Sequence, residues 1–410
     1  MNEEYIEKLF ERIDARIKEL EAEEKKQAME DEKIDALIDN ALSDFVVPDD
    51  EAKCDEDMKA VVECPAADPM RQLIINADAN KEEETRTKFE MFLKEWTPKG
   101  IIEFLDTRIL GQDEAKKQAA LFLYRFVQRC TYPEKFKRRN VLLIWGPPGS
   151  GKSELFRALN EISPMRIVFV SGADVTTTGF AGADWSSILR SALGRSYKVR
   201  EPIKERLIVV VDEFDKMASK KHDREGSLVS NDIQSALLQT LETGQFTDAN
   251  GNIINIPFCD FALVGAFEGM INNSMSRTIG FNSDNDAVTV ADETEALIAW
   301  GVMPEICSRI GSIAQTKGLT EEDYITIMRT PSMSPVQFLA DEYSVDNIKL
   351  KVPSDTIQSI AKVAHKANLG ARKMISIMRQ AGDDKLIEAI EAKKKEIVIT
   401  REDVEKVITR

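Results

Sequence analysis

A chain of 410 residues with 43% hydrophobic content is long enough for about two to three domains, each able to bury its own core. Its net charge of -16 argues against an extended nucleic-acid footprint or adhesion to anionic lipid, and no apolar run approaches the roughly 20 residues of a membrane span. Five scattered cysteines and two histidines indicate neither a disulfide framework nor a histidine-rich metal site, and the acidic N-terminus is unlike a signal peptide, so a cytoplasmic location is expected.

In chain order, Tyr5, Ile6, Leu9, Phe10, Ile13, Ile17 and Leu20, then Ile34, Leu37, Ile38, Leu42 and Phe45, recur at helical spacing, which predicts a helical, coiled-coil-like region over 1–46. An acidic stretch follows and reads as a linker over 47–86. Phe89, Phe92, Leu93 and Trp96 form the next helical stripe, and Thr97-Pro98 opens a further helix as N-cap and first-turn residue. Short apolar runs at 141–145, 167–171, 207–211 and 261–264 alternate with helical segments, the pattern of a parallel α/β sheet, so a large α/β domain is expected over 87–317. Helices at 321–329, 354–367 and 371–392 around short strands at 347–352 and 396–400 predict a small, mostly helical α+β domain over 318–410.

Two motifs carry chemistry by themselves. Gly146-Pro147-Pro148-Gly149-Ser150-Gly151-Lys152-Ser153 is a GxxxxGK[ST] loop between an apolar strand and a helix. Its backbone N–H groups suit β- and γ-phosphates, Lys152 supplies a point charge, Ser153 offers a hydroxyl for Mg²⁺, and Glu154 follows in the first turn. The second is the strand 207–211 ending in Asp212-Glu213. Asp212 suits the Mg²⁺ of a bound nucleotide, and Glu213, one residue on, suits polarisation of an attacking water.

From Thr97 to the C-terminus these motifs resemble AAA+ ATPases, and within that class ClpX. The resemblance begins at Ile109-Leu110-Gly111-Gln112, which implies that Leu110 packs against an adenine ring. Met303 to Arg309 is similar to the segment bearing an arginine finger, which implies that Arg309 reaches the nucleotide of a neighbouring subunit, and hence a ring. Leu369-Gly370-Ala371-Arg372 is similar to a sensor-2 motif, which implies a contact from Arg372 to its own nucleotide. Gly265-Ala266-Phe267 stands where many AAA+ proteins carry a polar sensor, so no such residue is assigned.

The resemblance extends to the work done. Thr178-Gly179-Phe180-Ala181-Gly182 is similar to a pore loop, with Phe180 and Ala181 gripping an extended polypeptide, and the charged loop from Lys221 to Asp232 stands where a second pore loop would be. Ile279-Gly280-Phe281 is similar to a loop that docks on the peptidase ClpP. The four-cysteine zinc module of typical ClpX chains is absent, and Gln245–Pro257 is a shorter, acidic hairpin where those chains carry a basic loop. The implied protein is a hexameric, ATP- and Mg²⁺-dependent unfoldase that feeds a ClpP-like peptidase, without zinc, membrane or nucleic-acid partners. A stand-alone remodelling chaperone and a DNA-acting AAA+ motor are the alternatives.

Overall fold

The computed structural model describes residues 69–136, 138–175, 184–193, 206–218, 229–247, 252–268, 270, 290–366 and 371–408. The expected helices of 1–46, the loop of Phe180 and Ala181, residues 221–228 of the charged loop, the turn at 248–251 and the Ile279-Gly280-Phe281 segment lie outside the described residues, and the end of that charged loop, read as loop to Asp232, is helical from Val229.

The chain divides after Thr87 into two units. The described part of the first is the start of α1 (Pro69–Glu95), so the segment read as linker over 47–86 is helical from Pro69 onward. Proline suits a first helical turn, and the Lys/Glu-rich run at 81–84 has good helix propensity that its charge had masked.

The second unit, Lys88–Arg410, opens where α1 buries Phe89 and Phe92. Thr97 caps α2 (Pro98–Asp106) by accepting from the Gly100 N–H at 3.1 Å. After α3 (Asp113–Thr131) comes a five-stranded sheet interleaved with helices. In chain order these are β1 (Val141–Trp145), α4 (Lys152–Ile162), β2 (Arg166–Ser171), α5 (Trp185–Leu193) and β3 (Leu207–Asp212), then α6 (Phe214–Ala218) and α7 (Val229–Thr243). The hairpin of β4 (Gln245–Thr247) and β5 (Ile253–Asn255) follows, then β6 (Cys259–Gly265), α8 (Val290–Trp300), α9 (Pro304–Cys307) and β7 (Ser312–Gln315).

The sheet order is β2-β3-β6-β1-β7, and every pairing is parallel. β1, β3 and β6 are buried on both faces, which is why they read as unbroken apolar runs. One face packs Leu143, Val209 and Phe261 against Trp185, Leu189 and Leu237 of α5 and α7. The other is covered by α3 and α4, which pack on β1, β2 and β7. β7 was not legible in the sequence: this sheet-edge strand carries Ser312 and Gln315 around only two apolar residues, and the exposed edge needs no apolar run.

The C-terminal elements build their own core around Tyr324, Leu339, Ile360 and Met378. They are α10 (Glu321–Arg329), α11 (Pro335–Ser344), β8 (Lys349–Lys351), α12 (Ser354–Lys366), α13 (Ala371–Glu391), β9 (Glu396–Val398) and α14 (Arg401–Ile408). β8 and β9 pair in parallel, and α11 and α14 add to the helices read from the sequence. Among the described residues no helix is long and apolar enough to cross a membrane.

One buried ion pair fastens α3 to the sheet. Arg129 Nη2 meets Asp260 Oδ1 at 2.8 Å, and the Asn140 N–H donates to the same oxygen at 3.1 Å. Burial pushes the Asp260 carboxyl up to about 6 against the opposing pull of Arg129 and the Asn140 N–H. Removing one partner strands the other charge in the core, so Asp260→Ala is expected to cost ~3–5 kcal/mol of stability. Asp260→Asn, which keeps an acceptor, is expected to cost less; urea unfolding of the two variants checks both values.

Candidate active site

The site forms where β1, β3, β6 and β7 end side by side. β1 runs straight into Gly146, whose φ of 147° and close surroundings admit no side chain: a Cβ there would lie 2.2 Å from Thr316 Oγ1. The loop then turns through Gly149 (φ 73°) and Gly151 (φ 90°), and Gly151 is the N-cap residue of α4. A left-handed N-cap aims the first N–H groups of α4 into the loop, where an anion is stabilised by both the free donors and the helix dipole. Pro147, Pro148 and Gly149 form the outer rim and Ser150 its buried floor.

Lys152 is buried to 9% exposure, and its ammonium donates to the carbonyls of Gly146 and Pro147 at 2.7 Å each. Burial pulls it down to about 8, against the upward pull of Asp212, Asp215 and Glu268. Glu154 is exposed on α4 and accepts from Arg157 at 3.4 Å.

The two motifs meet directly. Ser153 donates its hydroxyl to Asp212 Oδ2 at 2.6 Å, and the Glu213 N–H donates to Asp212 Oδ1 at 3.0 Å. Glu213 is exposed and holds a φ of 55°, a left-handed conformation unusual for a glutamate and costing on the order of 1 kcal/mol.

Neither Asp215 nor Thr316 had a sequence signal. Asp215 is 4% exposed, and its Oδ1 accepts the Ala266 N–H at 3.1 Å, joining the ends of β3 and β6. Phe267 takes a φ of 48° and packs edge-on between Phe214 and Trp300, with centroids 6.1 and 5.8 Å away. Thr316, just past β7, bonds Ser150; only a hydroxyl at a strand's carboxyl end could have marked it, and β7 itself had not been read.

Leu110 is half-buried and packs on the C-terminal core, while Ile109 lies 3.6 Å from the position of a Cβ on Gly151. The segment is pinned by Gln112, whose Nε2 donates to Lys317 O and whose Oε1 accepts the Lys317 N–H, both at 2.7 Å. Apolar side chains such as Ile109 and Leu110 suit the face of a flat base. Arg372 lies in α13, with its side chain outside the described residues.

Arg309 does not join this cluster. The Gly311 N–H donates to Val141 O at 2.8 Å, which puts Arg309 at the amino end of β1, opposite the phosphate loop. The five-residue strand between them spans about 15 Å at ~3.3 Å per residue. Arg309 is 50% exposed and pairs with Glu242 Oε1 at 2.5 Å.

Residues 142–278 match the ATPase family associated with various cellular activities (AAA). Curated relatives share the wider chain. The ATP-dependent Clp protease ATP-binding subunit ClpX 2 of Wolinella succinogenes is 27% identical over 318 residues, covering 73% of this chain and 79% of its own. The ClpX subunit of Borrelia duttonii is 28% identical over 349 residues, covering 75% and 78%, and that of Treponema denticola 26% over 339, covering 74% and 80%. Residues 142–278 thus match an ATPase family, and over about three quarters of its length the chain is similar to ClpX subunits.

Proposed function

We propose that this ATPase works as a ring, probing and unfolding proteins and passing them to a ClpP-like peptidase. The observation that carries the ring is the position of Arg309. It is exposed at the opposite end of the sheet from its own phosphate loop, so it can serve a nucleotide only across a subunit boundary. The named relatives are ATP-binding subunits of Clp proteases, which supports a peptidase partner for this chain; the ring is proposed as a hexamer on the resemblance to ClpX.

The roles follow from the geometry. Lys152 gives up its two carbonyl bonds to a β/γ-phosphate, which restores the countercharge that burial denies it. Ser153 and Asp212 form a hard oxygen pair that fits Mg²⁺, which when bound supplies charge neutralisation on the phosphates. Glu213 polarises the attacking water, Leu110 packs on the adenine, Arg372 contacts the nucleotide of its own chain, and Arg309 neutralises developing charge in the neighbour's site. Phe180 and Ala181 grip the substrate polypeptide, and Ile279, Gly280 and Phe281 dock the peptidase.

Glu213→Gln is expected to lower ATP turnover ~10²- to 10⁴-fold while nucleotide affinity stays near parental. A phosphate-release assay beside equilibrium binding reads both. Arg309→Ala is expected to bind ATP and lose hydrolysis by ~10³-fold or more. Mixing the two variants then regains activity, because some interfaces join an intact Glu213 to an intact Arg309; a mixture as inactive as its components sinks the intersubunit role. ATP-dependent loss of a tagged substrate, followed with and without a ClpP-like peptidase, tests the whole reading. Unfolding without degradation favours a stand-alone remodelling chaperone.

A further inference from the structure

The geometry points to Thr316 as a positioning residue for the phosphate loop, acting through the hydroxyl of Ser150. The inference rests on the nucleotide-site reading of that loop and adds a residue that no motif assigns. Ser150 and Thr316 are 2% and 1% exposed, and their hydroxyl oxygens lie 2.7 Å apart. Thr316 also donates its hydroxyl to Trp145 O at 3.3 Å. A hydroxyl has one proton to give, so both contacts are satisfied together when Ser150 donates to Thr316 and Thr316 donates to Trp145 O. The result is a directed relay, Ser150 to Thr316 to the last carbonyl of β1.

Its location gives the relay its effect. Ser150 stands between Gly149 (φ 73°) and Gly151 (φ 90°), two residues that leave the loop backbone free to rearrange. The Lys152 bonds to Gly146 and Pro147 cannot hold the loop in its working shape, because an entering phosphate competes for the same ammonium. The Ser150 bond lies under the loop against the end of β7 and does not compete with phosphate. Thr316 is itself fixed at both ends: its N–H donates to Trp145 O at 2.8 Å, and the next residue, Lys317, is clamped by Gln112. With its hydroxyl in place the amides of the loop are presented ready for phosphate. Without it the loop must be ordered at the expense of binding.

The test uses the full chain, with equilibrium binding of a fluorescent ATP analogue and steady-state hydrolysis. Thr316→Val removes the hydroxyl at nearly constant volume. It is expected to weaken nucleotide binding about tenfold and raise KM by the same factor, with kcat within about twofold. Thr316→Ser is expected to restore both. Ser150→Ala breaks the relay from the other side, so the Ser150→Ala/Thr316→Val pair is expected to bind no more weakly than the weaker single variant. Parental affinity in Thr316→Val, no rescue by serine, or fully additive losses each overturn the inference. If Thr316→Val does not fold, Ser150→Ala carries the test, and parental affinity in it has the same consequence. Lys152→Ala is the control for the reading beneath: a parent chain that binds no better than Lys152→Ala overturns the nucleotide site and this inference together. A parent that binds tightly beside an unaffected Thr316→Val overturns only the latter.

Discussion

The register of β1 against its two neighbours is the constraint on which the site depends. Trp145 stands opposite Gly265 of β6 and Gln315 of β7, so these three strands end level with one another. Val211 of β3 pairs with Leu263, which brings Asp212 and Glu213 to the same edge. Each residue beyond a strand end then finds a backbone partner on the neighbour. Gly146 N–H donates to Gly265 O at 3.3 Å, and Thr316 N–H to Trp145 O at 2.8 Å. A slip of one residue in any pairing would exchange the two faces of a strand and separate Ser153 from Asp212. Because β1, β3 and β6 are buried on both faces, the apolar core that excludes water also holds that register.

Electrostatics gives this edge its chemistry. Burial works against the charge on Lys152, while Asp212, Asp215 and Glu268 support it. The ammonium is stored on two carbonyls of the loop it serves, ready to be exchanged for a stronger acceptor. Asp212 is held by Ser153 and by the Glu213 N–H, and Asp215 by the Ala266 N–H. Glu213 is exposed to solvent at the cost of a left-handed backbone, and a group proposed to act on water must face it.

The proposed nucleotide site and the C-terminal core are linked by a few short-range ties. Gln112 clamps Lys317, Ser332 donates to Thr107 O at 2.6 Å, and His365 Nδ1 lies 3.1 Å from Leu319 O. Leu110 packs on the same core. The segment from Thr316 to Leu319 therefore touches the phosphate loop at one end and α12 at the other. A segment shared in this way is the physical requirement for coupling between the proposed nucleotide site and the C-terminal helices.

Much of this was legible in the sequence because the features are local. The glycines of the 146–153 loop, the apolar run before Asp212 and the Thr97-Pro98 cap state their conformation through their own side chains, and the chain fixed them without help from distant residues. Strand β7, the buried roles of Asp215 and Thr316, the Gln112 clamp and the strained backbone of Glu213 were not legible. Apart from the Glu213 backbone, each depends on a partner far away along the chain: Thr316 meets Ser150 across 166 residues and Gln112 meets Lys317 across 205. Arg309 shows the same division. Its type and flanking residues suggested a charge-neutralising role, but its place at the far end of β1 from its own phosphate loop was decided by the parallel pairing of β7. Sequence alone determined which groups could handle phosphate; the tertiary structure decided which of them share a site, because hydrogen bonding between strands, and not order along the chain, sets what stands beside what.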